Sequence, residues 1–115
     1  MTHDPHCIFC KIIAGKIPSR KVYEDDHLFG FHDIAPWAPV HFLLVPKLHI
    51  PTLYAVDDEH QSMLGHMLRL APRLALELGV SNGFRTLINT GEDGRQEVQH
   101  LHMHVMGGPR PWARG

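Results

Sequence analysis

His100-Leu101-His102-Met103-His104-Val105-Met106 alternates imidazole with aliphatic side chains along its whole length. In an extended strand successive side chains face opposite sides, so Leu101, Met103 and Val105 are expected to enter a core while three imidazoles line the other face. Successive imidazoles on that face lie about 7 Å apart, close enough to act together on one small ligand. Three readings fit this pattern: a solvated polar strand face, a three-histidine zinc site, and a neutral-pH nucleophile or acid-base site. Composition and spacing alone do not separate them.

Outward from this stretch, the chain reads as an α+β domain with a five-stranded antiparallel sheet, a short N-terminal helix and one long helix. Cys7 to Ala14 carries Ile8, Phe9, Ile12 and Ile13 at helical spacing, and Gly15 is placed to end the helix. Val22-Tyr23 and Leu28 to Phe31 read as strands joined by the Glu24-Asp25-Asp26 turn. Pro36 and Pro39 break the chain around Trp37, and His41 to Val45 forms a third strand ended by Pro46. From Asp57 to Leu78, Met63, Leu64, Met67, Leu68, Ala71, Leu74, Ala75 and Leu78 keep a helical period, with acids at the start and Gly79 beyond the end. Pro72 inside that helix is expected to kink it. Phe84 to Asn89 and His100 to Met106 supply the last two strands, around the polar loop Thr90 to Gln99. Residues 1–6 and 109–115 read as tails of a single domain spanning 1–115.

The length of 115 residues, 43% hydrophobic and 20% charged, accommodates one core and no second domain. Lys plus Arg number 11 against 12 Asp plus Glu, so the chain lacks the basic footprint of a nucleic-acid binder, while small anionic ligands remain compatible with it. The longest apolar run, Phe42 to Val45, is far short of the roughly 20 residues that cross a bilayer, and Met1 to His6 lacks the parts of a signal peptide. With 2 Cys, both near the start, a disulfide scaffold is excluded and a reduced, cytoplasmic compartment is expected. Cys7 and Cys10 form a Cys-x-x-Cys pair, open to reading as small core residues, a redox dithiol or metal ligands. A dithiol enzyme would need a thioredoxin-like βαβ context, which this order of elements does not offer. His60 and His66 point to different faces of the long helix and are read as solvated.

The histidine stretch, together with Phe31 to Pro36, His41 to Lys47, His49-Ile50, Asn89-Thr90-Gly91 and Gly94 to Val98, resembles the blocks of the histidine triad (HIT) family in order. The resemblance covers roughly residues 7 to 108. Gly107-Gly108 and Trp112 are similar to the HINT branch of nucleoside phosphoramidate hydrolases. This branch implies cleavage of the P–N bond of purine nucleoside 5'-phosphoramidates through a nucleotidyl-histidine. Dinucleoside polyphosphate hydrolysis, or a zinc-stabilised nucleotide-binding module with little turnover, are the alternatives.

The resemblance also implies roles. His102 would be the nucleophile, its tautomer set by a hydrogen bond to the His100 carbonyl. His104 would donate to the phosphoryl oxygens, Asn89 and the Gln96 region would add donors, and His41 would buttress the triad. Asp33 would accept the ribose hydroxyls, and Phe9, Ile12, Phe31, His32, Ile34 and Leu43 would sandwich the base. Glu97 stands where several relatives have a Ser against the phosphate, so its carboxylate is expected to turn aside. Arg95 replaces a glycine in the same loop. HIT proteins with the cysteine pair bind zinc through it and two histidines, which correspond to His49 and His100. A two-fold homodimer is implied as well, built on the long helix and the Phe84 to Asn89 strand, with Trp112 near the partner's site.

Overall fold

A computed structural model describes residues 3–113. Helix α1 spans Ile8–Ile13, followed by strands β1 (Lys21–Glu24), β2 (Leu28–His32) and β3 (Val40–Pro46). Two single 3-10 turns, Leu53–Ala55 and Asp58–His60, lead into helix α2 (Gln61–Glu77), and β4 (Phe84–Leu87) and β5 (Met103–Gly107) complete the sheet. Among the described residues the five strands form one antiparallel sheet in the order β1-β2-β3-β5-β4, as the alternating segments predict.

The two sheet faces carry two different cores. Leu28, Phe42, Leu44, Met103 and Val105 meet Met67, Leu70, Ala71 and Leu74 of α2. On the opposite face Phe29, Phe31, Leu43 and Val45 lie under Phe9, Cys10 and Ile12 of α1. Each fully buried Leu, Met or Phe contributes roughly 1.5–3 kcal/mol of transfer free energy. β3 and β5, neighbours within the sheet, are buried along nearly their whole length. Gly107 lets Val80, from the connection between α2 and β4, pack directly on the end of β5, because a Cβ there would collide with it.

The hairpin turn is held by one carboxylate. Asp25 Oδ1 accepts from the amides of His27 (2.8 Å) and Leu28 (2.7 Å), and Oδ2 accepts from the Tyr23 hydroxyl at 2.7 Å. His66 Nε2 on α2 lies 2.7 Å from the same oxygen, so His66, exposed to solvent as expected from its position, also ties the helix to the hairpin. These hydrogen bonds, His66 and Tyr23 among them, hold the Asp25 carboxyl well below the usual carboxylate range against the opposing effect of burial.

The long helix begins later than its acidic start suggests. Asp57 to His60 form a capping box over a 3-10 turn, in which His60 Nδ1 accepts from the Asp57 amide at 3.1 Å, and the α-helix proper starts at Gln61. His60 is thus a capping residue. The helix continues through Pro72, which lies on the exposed side where water can serve the freed Leu68 carbonyl. Leu68, expected in the core stripe, is 59% exposed, while Leu70, outside the expected set, is buried. β5 begins at Met103, so His100 to His102 precede the strand, although Leu101 still enters the core.

Candidate active site

Alternation on β3 and β5 sends His41 and His104 to the α1 face of the sheet, on diagonal positions of neighbouring strands. Their rings meet, with His41 Nε2 2.9 Å from His104 Nδ1. The preceding residues fix the tautomers. The Trp37 amide donates to His41 Nδ1 at 3.0 Å, so His41 carries its proton on Nε2 and gives it to His104 Nδ1, leaving His104 with an Nε2–H. His102 donates from Nδ1 to the His100 carbonyl at 2.7 Å, which leaves a lone pair on its Nε2. A nitrogen lone pair and an N–H donor therefore stand on adjacent imidazoles, whose centroids are 5.1 Å apart.

Burial keeps this set neutral. His102 and His104 are 6% and 8% exposed. Desolvation lowers the His102 and His41 pKa values and brings His104 down to about 4, with the neighbouring imidazoles adding to the effect at His104. Trp37 stacks on His104 at 5.5 Å and 17°, and Phe9 sets its edge against His102 at 5.1 Å.

Asp33 Oδ2 is 3.5 Å from His41 Nε2, so Asp33, His41 and His104 have their ligand-type atoms close together. The tautomers argue against a metal there. His41 accepts a hydrogen bond from the Trp37 amide at Nδ1, so freeing its Nε2 for coordination as well would require an imidazolate.

A cavity of about 580 Å³ opens over these groups. Phe9, Ile12, Phe31, Ile34 and Leu43 give it an apolar wall, and Asp33, Asn89, Gln96, Glu97, His102 and His104 give it polar groups. Ile34 is fully exposed at the mouth. Such a concave, largely apolar space with a few convergent polar groups is what a small-molecule site requires.

A scan against family models matches residues 6–112 to the family described as scavenger mRNA decapping enzyme C-terminal binding. The protein HitA of Neisseria gonorrhoeae is 52% identical over 104 residues, which cover 90% of this chain and 97% of HitA. The purine nucleoside phosphoramidase of Escherichia coli is 46% identical over 102 residues, 88% of this chain and 86% of that protein. Among solved structures, a histidine triad protein from Clostridium difficile aligns with a TM-score of 0.91 and 43% identity, covering 96% of each chain. A HIT family hydrolase from Legionella pneumophila aligns with a TM-score of 0.88 and 42% identity, over 91% of this chain and 95% of that one.

The chain belongs to the histidine triad family. It is a HIT hydrolase.

Within this HIT protein the residues expected at the site divide. His41, His102 and His104 come together as expected, and Phe9, Ile12, Phe31, Asp33, Ile34, Leu43 and Asn89 line the cavity. His32 is not among the lining residues. Strand alternation pairs it with Phe42, whose side chain belongs to the α2 face, away from Phe31.

Gln96 lines the cavity but is not a free donor. Its Nε2 hydrogens go to the carbonyls of Pro51 (2.7 Å) and Val98 (2.9 Å), and its Oε1 accepts from the Gly91 amide at 3.0 Å. It clamps the 89–98 loop instead. Asn89 spends one amide hydrogen on the Gly94 carbonyl at 2.7 Å and keeps the other. Gly94 is required in that turn, because a Cβ would run into the Thr90 backbone.

Two charged loop residues also line the cavity. Arg95 occupies a left-handed conformation with φ of 60°, a backbone suited to the glycine it replaces. Glu97 is exposed and also counts among the residues lining the cavity, and its charge favours the protonated form of His102. Trp37, Ile8, Ala35 and Val98 line the site without having been singled out. The one signal for Trp37 was a large aromatic held between two prolines in the segment just before His41.

His100 faces away from the other two imidazoles, which removes the reading of three triad histidines around one metal. Its Nδ1 lies 3.3 Å from Cys7 Sγ, 3.6 Å from Cys10 Sγ and 3.2 Å from His49 Nδ1, and Cys10 Sγ is 3.5 Å from His49 Nδ1. Tetrahedral zinc sets adjacent nitrogens about 3.3 Å apart and nitrogen and sulfur about 3.6 Å apart, so the four donors fit that ion. The remaining nitrogen of His100, Nε2, donates to the Pro46 carbonyl at 2.8 Å, which orients Nδ1 toward the cluster. Burial brings the His100 pKa down to about 4, so the ring is neutral, as a ligand must be.

Proposed function

We propose that the protein hydrolyses the P–N bond of purine nucleoside 5'-phosphoramidates through a nucleotidyl intermediate on His102. The observation that carries this reading is the His102 tautomer: a buried, neutral imidazole presents its Nε2 lone pair beside a donor, in a cavity with an apolar wall. The name of the Escherichia coli relative supports the substrate class.

Phe9, Ile12, Phe31, Ile34 and Leu43 would hold the base without reading its edge. Asp33 would accept the ribose hydroxyls through Oδ2, because Oδ1 already accepts from the Ala35 amide at 2.8 Å. His102 Nε2 attacks the α-phosphorus as the P–N bond breaks, and the departing nitrogen takes a proton from solvent. His104 Nε2–H and the spare Asn89 hydrogen stabilise the charge that develops on the phosphoryl oxygens, and His41 holds His104 in that tautomer. Water then cleaves the nucleotidyl-histidine, releasing nucleoside monophosphate and a proton.

Cys7, Cys10, His49 and His100 would hold a structural zinc, which closes its coordination with protein ligands and braces α1 against the segment bearing His102. The protein would act as a two-fold homodimer through α2 and β4. Leu68, Leu76 and Phe84 are exposed, and β4 is an edge strand. The whole chain 1–115 is read as one HIT domain in the cytoplasm. Its buried cysteines are unbridged, and among the described residues no helix is long and apolar enough to cross a membrane. Release of AMP from adenosine 5'-phosphoramidate in a single turnover, with a transient labelled protein, tests the reading. Binding without release would overturn it in favour of an interaction module.

A further inference from the structure

Resting on the phosphoramidase reading, the geometry points to Glu97 as a charge filter that sets which leaving groups the site accepts: uncharged or cationic amines, and not polyphosphate chains. Glu97, an exposed residue, is among those lining the cavity that holds His102 and His104, and its charge is felt at His102. With the base against the apolar residues and the phosphorus at His102, a leaving group departing past the 89–98 loop comes under the same charge.

The carboxylate is not neutralised. Among the described residues no hydrogen bond or ion pair engages Glu97. Arg95, two positions away on the cavity rim, makes no ion pair with it. Nor can the loop carry Glu97 out of the way easily. Gln96, its neighbour, is clamped through three hydrogen bonds to Gly91, Pro51 and Val98, and the Gln96 amide donates to the Gly91 carbonyl at 3.0 Å. An unpaired anion on a cleft lining, carried by clamped backbone, raises the energy of every further negative charge brought beside it. A site shaped for polyphosphate would gain from a donor at that position.

The filter is read most cleanly in ratios. Two adenosine phosphoramidates of similar size, one from n-butylamine and one from the singly protonated 1,3-diaminopropane, differ by one positive charge. The parent protein should prefer the cationic one in kcat/KM, and it should hydrolyse diadenosine tetraphosphate poorly. Glu97→Gln should shift both ratios, cationic to neutral and phosphoramidate to tetraphosphate, by roughly three- to tenfold toward the less positive substrate. That factor is expected of single charges about 8 Å apart in a partly solvated cleft. The shift should shrink as salt is raised toward about 1 M, where screening acts over about 3 Å.

A second readout needs no turnover. The Kd of ATP relative to AMP, by calorimetry, should fall by a similar factor in Glu97→Gln. Ratios that stay the same, or that move without salt dependence, would overturn the filter. Failure of the parent to bind AMP or to turn over any phosphoramidate would instead overturn the reading beneath it, so the two failures are distinct.

Discussion

The carbonyl oxygen of His100 and Nδ1 of His102 are 2.7 Å apart, while the ring of His100 points the other way, into the cysteine pair. One residue thereby joins the two working parts of the molecule: its backbone sets the tautomer of the proposed nucleophile, and its side chain belongs to the candidate metal cluster.

His102→Ala should lower phosphoramidate turnover by at least roughly 10³-fold and abolish the labelled intermediate, because no other imidazole in the cavity presents a free lone pair. His104→Ala removes a donor and should cost less, about 10² to 10³-fold, with some intermediate still formed. Quenched-flow measurement of labelled protein distinguishes the two, and a His102→Ala protein that still accumulates label would place the nucleophile elsewhere.

Acid should act on activity and on stability with the same sign. Burial depresses the folded-state pKa values of His100 and His104 to about 4 and lowers that of His102, all below the ordinary histidine value of about 6.5. The unfolded chain therefore binds more protons as pH falls. The stability present above about pH 6.5 should be lost progressively down to about pH 4. The acidic limb of kcat/KM should likewise fall below the ordinary histidine value, as His102 loses its lone pair. A limb at or above that value in the parent protein would contradict a desolvated nucleophile.

Protein purified without chelator should contain about one zinc per chain, as a closed four-ligand site requires. Cys7→Ser with Cys10→Ser should lose the metal. A loss of about 2 kcal/mol would lower Tm by roughly 8 °C in a domain of this size. Turnover should fall less than stability, since none of the four ligand side chains points at the phosphate position. Full zinc retained in the double variant would remove the cluster from consideration.

Light scattering at micromolar concentration should return twice the chain mass. Phe84→Glu, on the exposed edge strand, and Leu68→Glu, on the exposed face of α2, should each shift the protein toward monomer. A monomeric parent would exclude the dimer. If Trp112 lies near the partner's site, deletion of residues 111–115 should change the substrate profile, and an unchanged profile would contradict that position.

Much of the architecture is local and could be read from periodicity. The alternation in His100 to Met106, the apolar stripe of α2 and the short strands around Pro36 and Pro46 each specify an element through side chains a few residues apart. Element ends are less local. His100 and His102 lie outside β5, and α2 starts at Gln61, because a capping box and a turn of irregular chain decide those boundaries. Leu68 fits the helical period, yet it falls on the open side of α2, where this chain supplies no facing element.

The site divides along the same line. Which residue types could do the chemistry and, through the family's motifs, where they lie in the chain is legible in the order of residues. What each of them does depends on long-range packing. His41 and His104 share a proton across 63 positions, and Gln96 spends its donors on a carbonyl 45 positions away, so neither relation has a local signature. Glu97 carries the same logic in reverse. A carboxylate in a loop is ordinarily solvated or paired, and whether it faces a reacting imidazole depends on backbone clamped by residues distant in the chain. Periodicity reports which way a side chain leaves its own backbone; tautomer, charge and access depend on what other segments bring within hydrogen-bonding reach.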